Sequence, residues 1–364
     1  MRFIPFFIFI TTFGVTLLGQ QEEHPALSLA APTGHLATPR LNLLADFPRL
    51  ATTTTDPELI GWNWLEPADT LNKKRFRTTV GVGTAIYGTA AYALYITWYK
   101  DYEFSRFRTF NDAREWNQMD KMGHLLTTFS ETRWLYDGAR WTGLDKKRAL
   151  WLAGGLGMFL QGTLEVMDGY SEKWGFSWSD IGFNTIGMAA FVSQEAIWDE
   201  QRIIFKLSGN RTDPPDLQVA SSNGEGVASL VARSRELYGQ SIPERLLKDY
   251  NTMTVWGSVN VRAFAPESRW PRWLNVAVGY GAGNLYGGFG NSWTDEAGLN
   301  YQLTTADFPR YRQLYLSFDI DLKRIPVRRR WLKSALSILN FLKFPAPALE
   351  WNTLGKVRFH PFYF

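Results

Sequence analysis

Apolar positions recur at helical spacing through the first two thirds of the chain, and the period changes to two after Asn251. Three stretches carry the 3.6-residue period: Gln118 to Tyr136, Lys146 to Met167 and Ser179 to Leu207. A fourth helix is predicted from Thr79 to Trp98, a run without a charge. That run is long enough to cross a bilayer core, and Gly81, Gly83, Gly88, Ala90 and Ala91 would let a neighbouring helix approach closely. A buried helix of a soluble bundle has the same pattern. In the last third, Tyr311 to Leu322 alternates cleanly, with Leu314, Leu316, Phe318, Ile320 and Leu322 on one face and Gln313, Ser317, Asp319 and Asp321 on the other. This is the pattern of a half-buried strand. Val255–Phe264, Leu274–Gly281 and Lys356–Phe364 are weaker strand candidates. Between them, Arg328 to Phe344 predicts a basic amphipathic helix with Trp331, Leu332, Ala335, Leu336, Leu339 and Leu342 as its stripe. Arg328, Arg329 and Arg330 at its start suit anionic head groups, although a helix packed on the sheet with a solvated basic end has the same sequence.

The predicted fold class is α+β: a small four-helix, membrane-associated bundle over residues 76–208, then an antiparallel β-rich domain over 251–364 with one amphipathic helix. Residues 209–250 read as a linker, opened by Asp213-Pro214-Pro215. At the other end, Met1-Arg2 followed by the apolar stretch Phe3 to Leu18 has the layout of a signal peptide, over residues 1–19, with cleavage near Gln20. An uncleaved anchor is the competing reading. Residues 20–75 read as a mobile leader, and His24 and His35 within it as solvated. The expectation is an exported protein of the cell envelope, facing the periplasm and associated with a membrane. With no Cys in 364 residues, disulfides play no part and no lipoprotein cysteine stands at the predicted cleavage junction. A net charge of +4 is too small at this length to argue for nucleic acid, and an aromatic share of 15% suits membrane interfaces as well as cores.

The candidate chemistry lies on the helices. Asp120, Lys121 and His124 share one helix, Glu165 and Asp168 the next, and Asp180 and Asn184 open the last. Acids, a base and an amide on sparsely charged helices are costly to bury unless they meet each other or a ligand. The spacing lets the three stripes converge, with Thr128, Glu131, Gln161 and Gly187 extending them. As a catalytic set, His124, Glu165, Asp168 and Asp180 would serve as acids, base or ligands, while Asp120, Lys121 and Asn184 would form a structural polar network. One histidine among carboxylates could hold a divalent ion or act as a general acid–base set, so cofactor and metal stay open. Plainer explanations exist for each member. Ser177 to Asp180 fits a capping box, and Asp168-Gly169 fits a helix end at which the acid wants a cation such as Lys121. The glycine-rich run Gly279 to Gly288 departs from a dinucleotide fingerprint and reads as tight turns between strands.

Met119-Asp120-Lys121-Met122-Gly123-His124, Glu165 through Gly169, Gly175-Phe176-Ser177 and Asp180 to Asn184 together resemble the YfiM-like family of predicted periplasmic proteins, a domain of unknown function. More distantly the pattern resembles VanZ-like membrane proteins. Leu246 to Asn251, Val278 to Gly281 and Pro345 to Glu350 are similar to a C-terminal extension seen in Bacteroidetes members. The resemblance spans roughly residues 75 to 207 and implies localisation and grouping without an activity. Three functional readings follow. The first is an envelope protein whose polar cluster is a structural or ligand-holding network, with a membrane lipid or envelope component as partner. The second is an envelope hydrolase or transferase acting on a lipid or cell-wall precursor. The third and weakest is an outer-membrane β-barrel, because closed membrane barrels start at about eight strands.

Overall fold

The computed structural model describes residues 58–95, 104–209, 213–240, 245 and 248–364. The predicted signal segment and most of the predicted leader lie outside these residues. From residue 58 the chain is tied down: Ile60 bridges to Arg329, Trp141 donates its indole N–H to the Trp64 carbonyl, and the Arg75 guanidinium stacks over the Trp141 ring. The leader read as mobile to residue 75 therefore ends in a strap fastened at Trp141 and at Arg329.

Helix α1 (Lys73–Leu94) starts where Asn72 accepts from the Arg75 amide, six residues before the expected uncharged run. Residues 96–98 of that run fall outside the described part. Among the described residues no helix is long and apolar enough to cross a membrane, so the predicted spanning helix has no support. Tight packing joins three helices, α2 (Met119–Trp141), α3 (Lys146–Gly169) and α4 (Trp178–Trp198), with α1 set against the side of α2. Asp145 and Ser177 cap α3 and α4 through their side chains, each satisfying an amide that the helix leaves unpaired. Phe129, Tyr136, Ala149, Ala153 and Phe191 form the apolar part of the trio's core. At Gly187 a Cβ would sit 2.3 Å from the Leu125 carbonyl oxygen, so only glycine lets α4 lie this close to α2.

Helix α4 ends at Trp198, not at Leu207. Asp199 takes a left-handed turn, and Ile203–Gly209 is strand β1, in which alternate residues are buried. The β-branched pair Ile203-Ile204 and the two-residue burial period overrode the helical reading. The stretch read as a linker holds a hairpin of β2 (Gln218–Ala220) and β3 (Val227–Ser229) and helix α5 (Leu230–Tyr238), capped by Ser229. Then come β4 (Met253–Val259), the single turn α6 (Val261–Phe264), β5 (Leu274–Gly283), a second hairpin of β6 (Ser292–Thr294) and β7 (Asn300–Gln302), and β8 (Tyr311–Ile320). Helix α7 (Arg330–Leu339), β9 (Ala346–Asn352) and β10 (Val357–Tyr363) close the chain. The main sheet runs β1-β4-β5-β8-β9-β10, all antiparallel, a meander with its small elements inserted between strands.

This sheet is strongly curled. Lys206 on β1 places its ammonium 2.8 Å from Asp319 on β8, three strands away, although a flat sheet would separate those strands by about 14 Å. The Tyr363 hydroxyl on β10 lies 2.9 Å from the Thr254 hydroxyl on β4, four strands away. The outer edge of β1 is covered by residues 341–343, where Leu207 bonds to Phe341 and Lys343.

The polarity of the sheet is reversed. On β8 the buried side chains are Tyr315, Ser317 and Asp319, at 2, 5 and 1% exposure. Leu314, Leu316 and Phe318 face outward at 53, 44 and 49%. Val278, Trp351, Val357, Phe359 and Phe362 continue this apolar outer surface on neighbouring strands. The concave side combines an aromatic cluster, Trp256, Tyr315 and Tyr363 with Ala277 and Ala348, with a bonded polar set that includes Asp319 and Lys206. Ser258 donates to Asp319 at 2.6 Å, Asn275 to Ser258 at 2.9 Å, Asn260 to Asn275 at 2.9 Å and the Trp256 indole to Ser208 at 2.8 Å. The glycine run read as turns begins inside β5. A Cβ at Gly279 would stand 2.7 Å from the Trp256 ring, so the glycine makes room for that ring on the concave side.

Candidate functional site

Helix α2 leaves a strained entry. Trp116, Asn117 and Gln118 all hold positive φ (50°, 50° and 64°), a region costly for residues other than glycine. The turn is pinned from the sheet, where the Tyr280 hydroxyl donates to the Asn117 carbonyl at 2.6 Å and Asn117 donates to the Tyr311 carbonyl at 3.2 Å. It aims Asp120, Lys121 and His124 into the space between the three helices, where all three are buried.

Lys121 is the hub. Its ammonium lies 2.5 Å from Asp180, 2.9 Å from Asp112 and 3.0 Å from Asp120. Burial works against the charged lysine, but Asp120, Asp180 and Asp112 outweigh it and hold Lys121 well above its usual range. Burial would likewise raise Asp112; the Lys121 charge and the Ser177 and Ser179 hydroxyls, donating at 2.5 and 2.7 Å, keep it below the usual carboxylate value. Asp180 shares the same lysine yet moves the other way, to about 6. Its burial dominates, and Asp120 and Asp112 oppose its charge while His124 and Lys121 favour it.

The second half of the cluster surrounds His124. Its Nδ1 is 3.2 Å from Asn184 Oδ1, which also accepts from the Thr128 hydroxyl at 2.7 Å. Its Nε2 faces Asp180 Oδ2 at 3.6 Å and Glu165 Oε1 at 3.9 Å. The other Glu165 oxygen accepts from the Ser177 amide at 3.2 Å. Ser177 thus caps α4 as expected, accepting from the Asp180 amide at 3.1 Å, but the reciprocal acid is Glu165, because the Asp180 carboxylate turns to Lys121. A further polar layer sits where Gln161 donates to Glu131 at 2.8 Å.

The predicted residues Asp120, Lys121, His124, Glu165, Asp180 and Asn184 therefore meet in one buried constellation. Asp168 is buried one turn beyond Glu165 on the same helix. The cation expected opposite it, Lys121, is taken by Asp112, Asp120 and Asp180. Gly169 closes α3 without a left-handed turn; a Cβ there would meet the Phe107 ring at 2.3 Å. Two participants escaped the sequence reading. Asp112 lies in an irregular segment before α2, and Tyr250, donating to Asp120 at 2.8 Å, comes from just ahead of β4. No periodicity marks either one.

Residues 109–194 match a family described as a predicted periplasmic lipoprotein (DUF2279). The match spans about a quarter of the chain and takes in every member of the constellation except Tyr250. These 364 residues hold no cysteine to carry a lipid, which departs from that description. No curated protein and no solved structure matches the chain. Over its helix trio, the chain is similar to an exported, cell-envelope family of unknown function.

Proposed function

We propose that this envelope protein seats the convex, apolar face of its sheet against a membrane, with the helix trio keyed to the sheet by the buried Lys121 network. The observation that carries the reading is the reversed polarity of the sheet. A water-facing meander turns its leucines inward, whereas this one satisfies polar groups inside and presents Leu314, Leu316 and Phe318 outside, as membrane-embedded sheets do. Helix α7 adds exposed Trp331, Ile338 and Leu339 beside exposed Arg328 and Arg329, a pairing suited to anionic head groups. The sheet has six strands and two edges, β1 and β10, so the reading is a surface seat and not a closed spanning barrel. The YfiM-like grouping, the Bacteroidetes-type extension and the VanZ likeness belong to this same reading.

Flotation with vesicles of phosphatidylcholine and phosphatidylglycerol tests it. Three half-exposed side chains contribute about 1 kcal/mol each on full burial. Leu314→Gln, Leu316→Gln and Phe318→Gln together are expected to lower partitioning roughly a hundredfold while leaving the melting temperature unchanged. Unaltered partitioning of the triple variant refutes the seat. The second reading, a hydrolase or transferase, is favoured by His124 standing between Asp180 and Glu165. A substrate would reach these buried groups only through separation of the helices.

A further inference from the structure

We infer that Asp120, His124 and Asp180, with Glu165 alongside, form a site for one divalent cation of the zinc or manganese class. One ligand atom from each of the first three lies within 4.8 Å of the others, and all three residues are buried. They come from α2 and α4, which approach closely where Gly187 meets the Leu125 carbonyl.

The histidine is oriented as a ligand. Asn184 Oδ1 is an acceptor 3.2 Å from His124 Nδ1, which places a ring proton on Nδ1 and leaves Nε2, on the side of Asp180 and Glu165, as the atom that would take the ion. Metal-binding histidines are held this way, with the far N–H bonded to an oxygen of a second residue. The Nε2 separations of 3.6 Å to Asp180 and 3.9 Å to Glu165 are too long for hydrogen bonds. Two ligands bound about 2.1 Å from one tetrahedral ion stand about 3.4 Å apart, close to the His124–Asp180 separation, while the full set, within 4.8 Å, would draw together on binding.

The charge of the shell points the same way. Asp112, Asp120 and Asp180 gather on the Lys121 ammonium and Glu165 lies beside His124, all with side chains at most 8% exposed. A dication among these ligands would add positive charge beside carboxylates whose burial makes their own charge costly. One imidazole nitrogen with carboxylate oxygens suits zinc or manganese better than calcium, which takes oxygen ligands alone. The site does not depend on membrane seating; vesicle flotation without ion binding, or the reverse, separates the two proposals.

The test uses the full chain, stripped with EDTA and dialysed, then titrated with zinc, manganese or cobalt(II) chloride. Elemental analysis is expected to give one ion per chain, with a rise in melting temperature of roughly 3–4 °C at a hundredfold excess over Kd. Cobalt(II) is expected to show the visible absorption of a low-coordinate N/O site in the wild-type protein, a readout that needs no variant. Asn184→Ala is expected to weaken binding ten- to a hundredfold as a positioning residue, and His124→Gln to abolish it. Absence of a bound ion and of a thermal shift with all three metals overturns the site. Undiminished binding by His124→Gln places the ion on other histidines of the chain and overturns it equally.

Discussion

Replacing Lys121 by methionine tests the network where it is most constrained. The ammonium lies within 3.0 Å of three carboxylates and is fully buried, so Lys121→Met leaves Asp112, Asp120 and Asp180 facing one another without their counter-charge. Breaking a buried pair on one side costs about 3–5 kcal/mol, and three partners place this variant at the upper end. In a chain of this size that corresponds to a fall of roughly 4–7 °C in melting temperature. The loss depends on pH with a definite sign. Asp180 already sits at about 6 in the folded protein, above its ordinary value, and losing Lys121 removes one of the charges that lower it. A carboxyl whose folded value is raised binds its proton more tightly folded than unfolded. Its penalty is absent below the unfolded value and grows as pH rises through the folded one. In chelator-treated protein, Lys121→Met is therefore expected to be most destabilised near pH 8 and to recover towards pH 5, as followed by thermal unfolding with circular dichroism. Adding Asp180→Asn removes one of the stranded charges and should recover part of the deficit at pH 8. A wild-type melting temperature for Lys121→Met at pH 8, or a double variant no better than the single one, refutes the hub.

Two further predictions concern how sheet and helices are joined. Gly279→Ala should lower stability by about 1–3 kcal/mol in a urea melt, because its Cβ would stand 2.7 Å from the Trp256 ring, which is itself fully buried; a neutral result would mean that the ring has room to move. Tyr250→Phe should cost about 1.5–3 kcal/mol, the worth of a hydrogen bond to a charged acceptor, by deleting the donor to Asp120. The same melt checks it, and an unchanged midpoint would show that the contact joins nothing of consequence.

The helical third was legible because its polar residues repeat at helix spacing, which brought Asp120, Lys121 and His124 onto one face and Asp180 and Asn184 onto another. Period alone cannot say which face of a strand is wet. On β8 the alternation was plain, yet Leu314, Leu316 and Phe318 turned outward, because Lys206 on β1 and Ser258 on β4 supply the partners that let Asp319 go inward. Those partners are brought together only by the curl of the sheet. The strand Ile203–Gly209 was lost for a related reason: it follows α4 after four residues, and its apolar run extends the helical pattern until Asp199 turns left-handed. The Asp168–Lys121 pairing failed because charge spacing identifies candidates for a lysine without ranking them. Asp112, from irregular chain, reached the ammonium within 2.9 Å.

The constellation is not a property of the helix trio alone. The family similarity stops at residue 194, but Asp120 takes a hydrogen bond from Tyr250, and the strained turn that aims α2 is held by Tyr280 and Tyr311 from the sheet. Gln118, the last residue of that turn, accepts from the Arg312 guanidinium at 2.7 Å. A turn with three left-handed residues persists only where its surroundings hold it in place, and here the holding groups lie on β5 and β8, within the same curled sheet whose outer face is apolar. The sheet is thus part of the site's framework, because Tyr280, Tyr311 and Arg312 hold the turn from which Asp120, Lys121 and His124 are aimed.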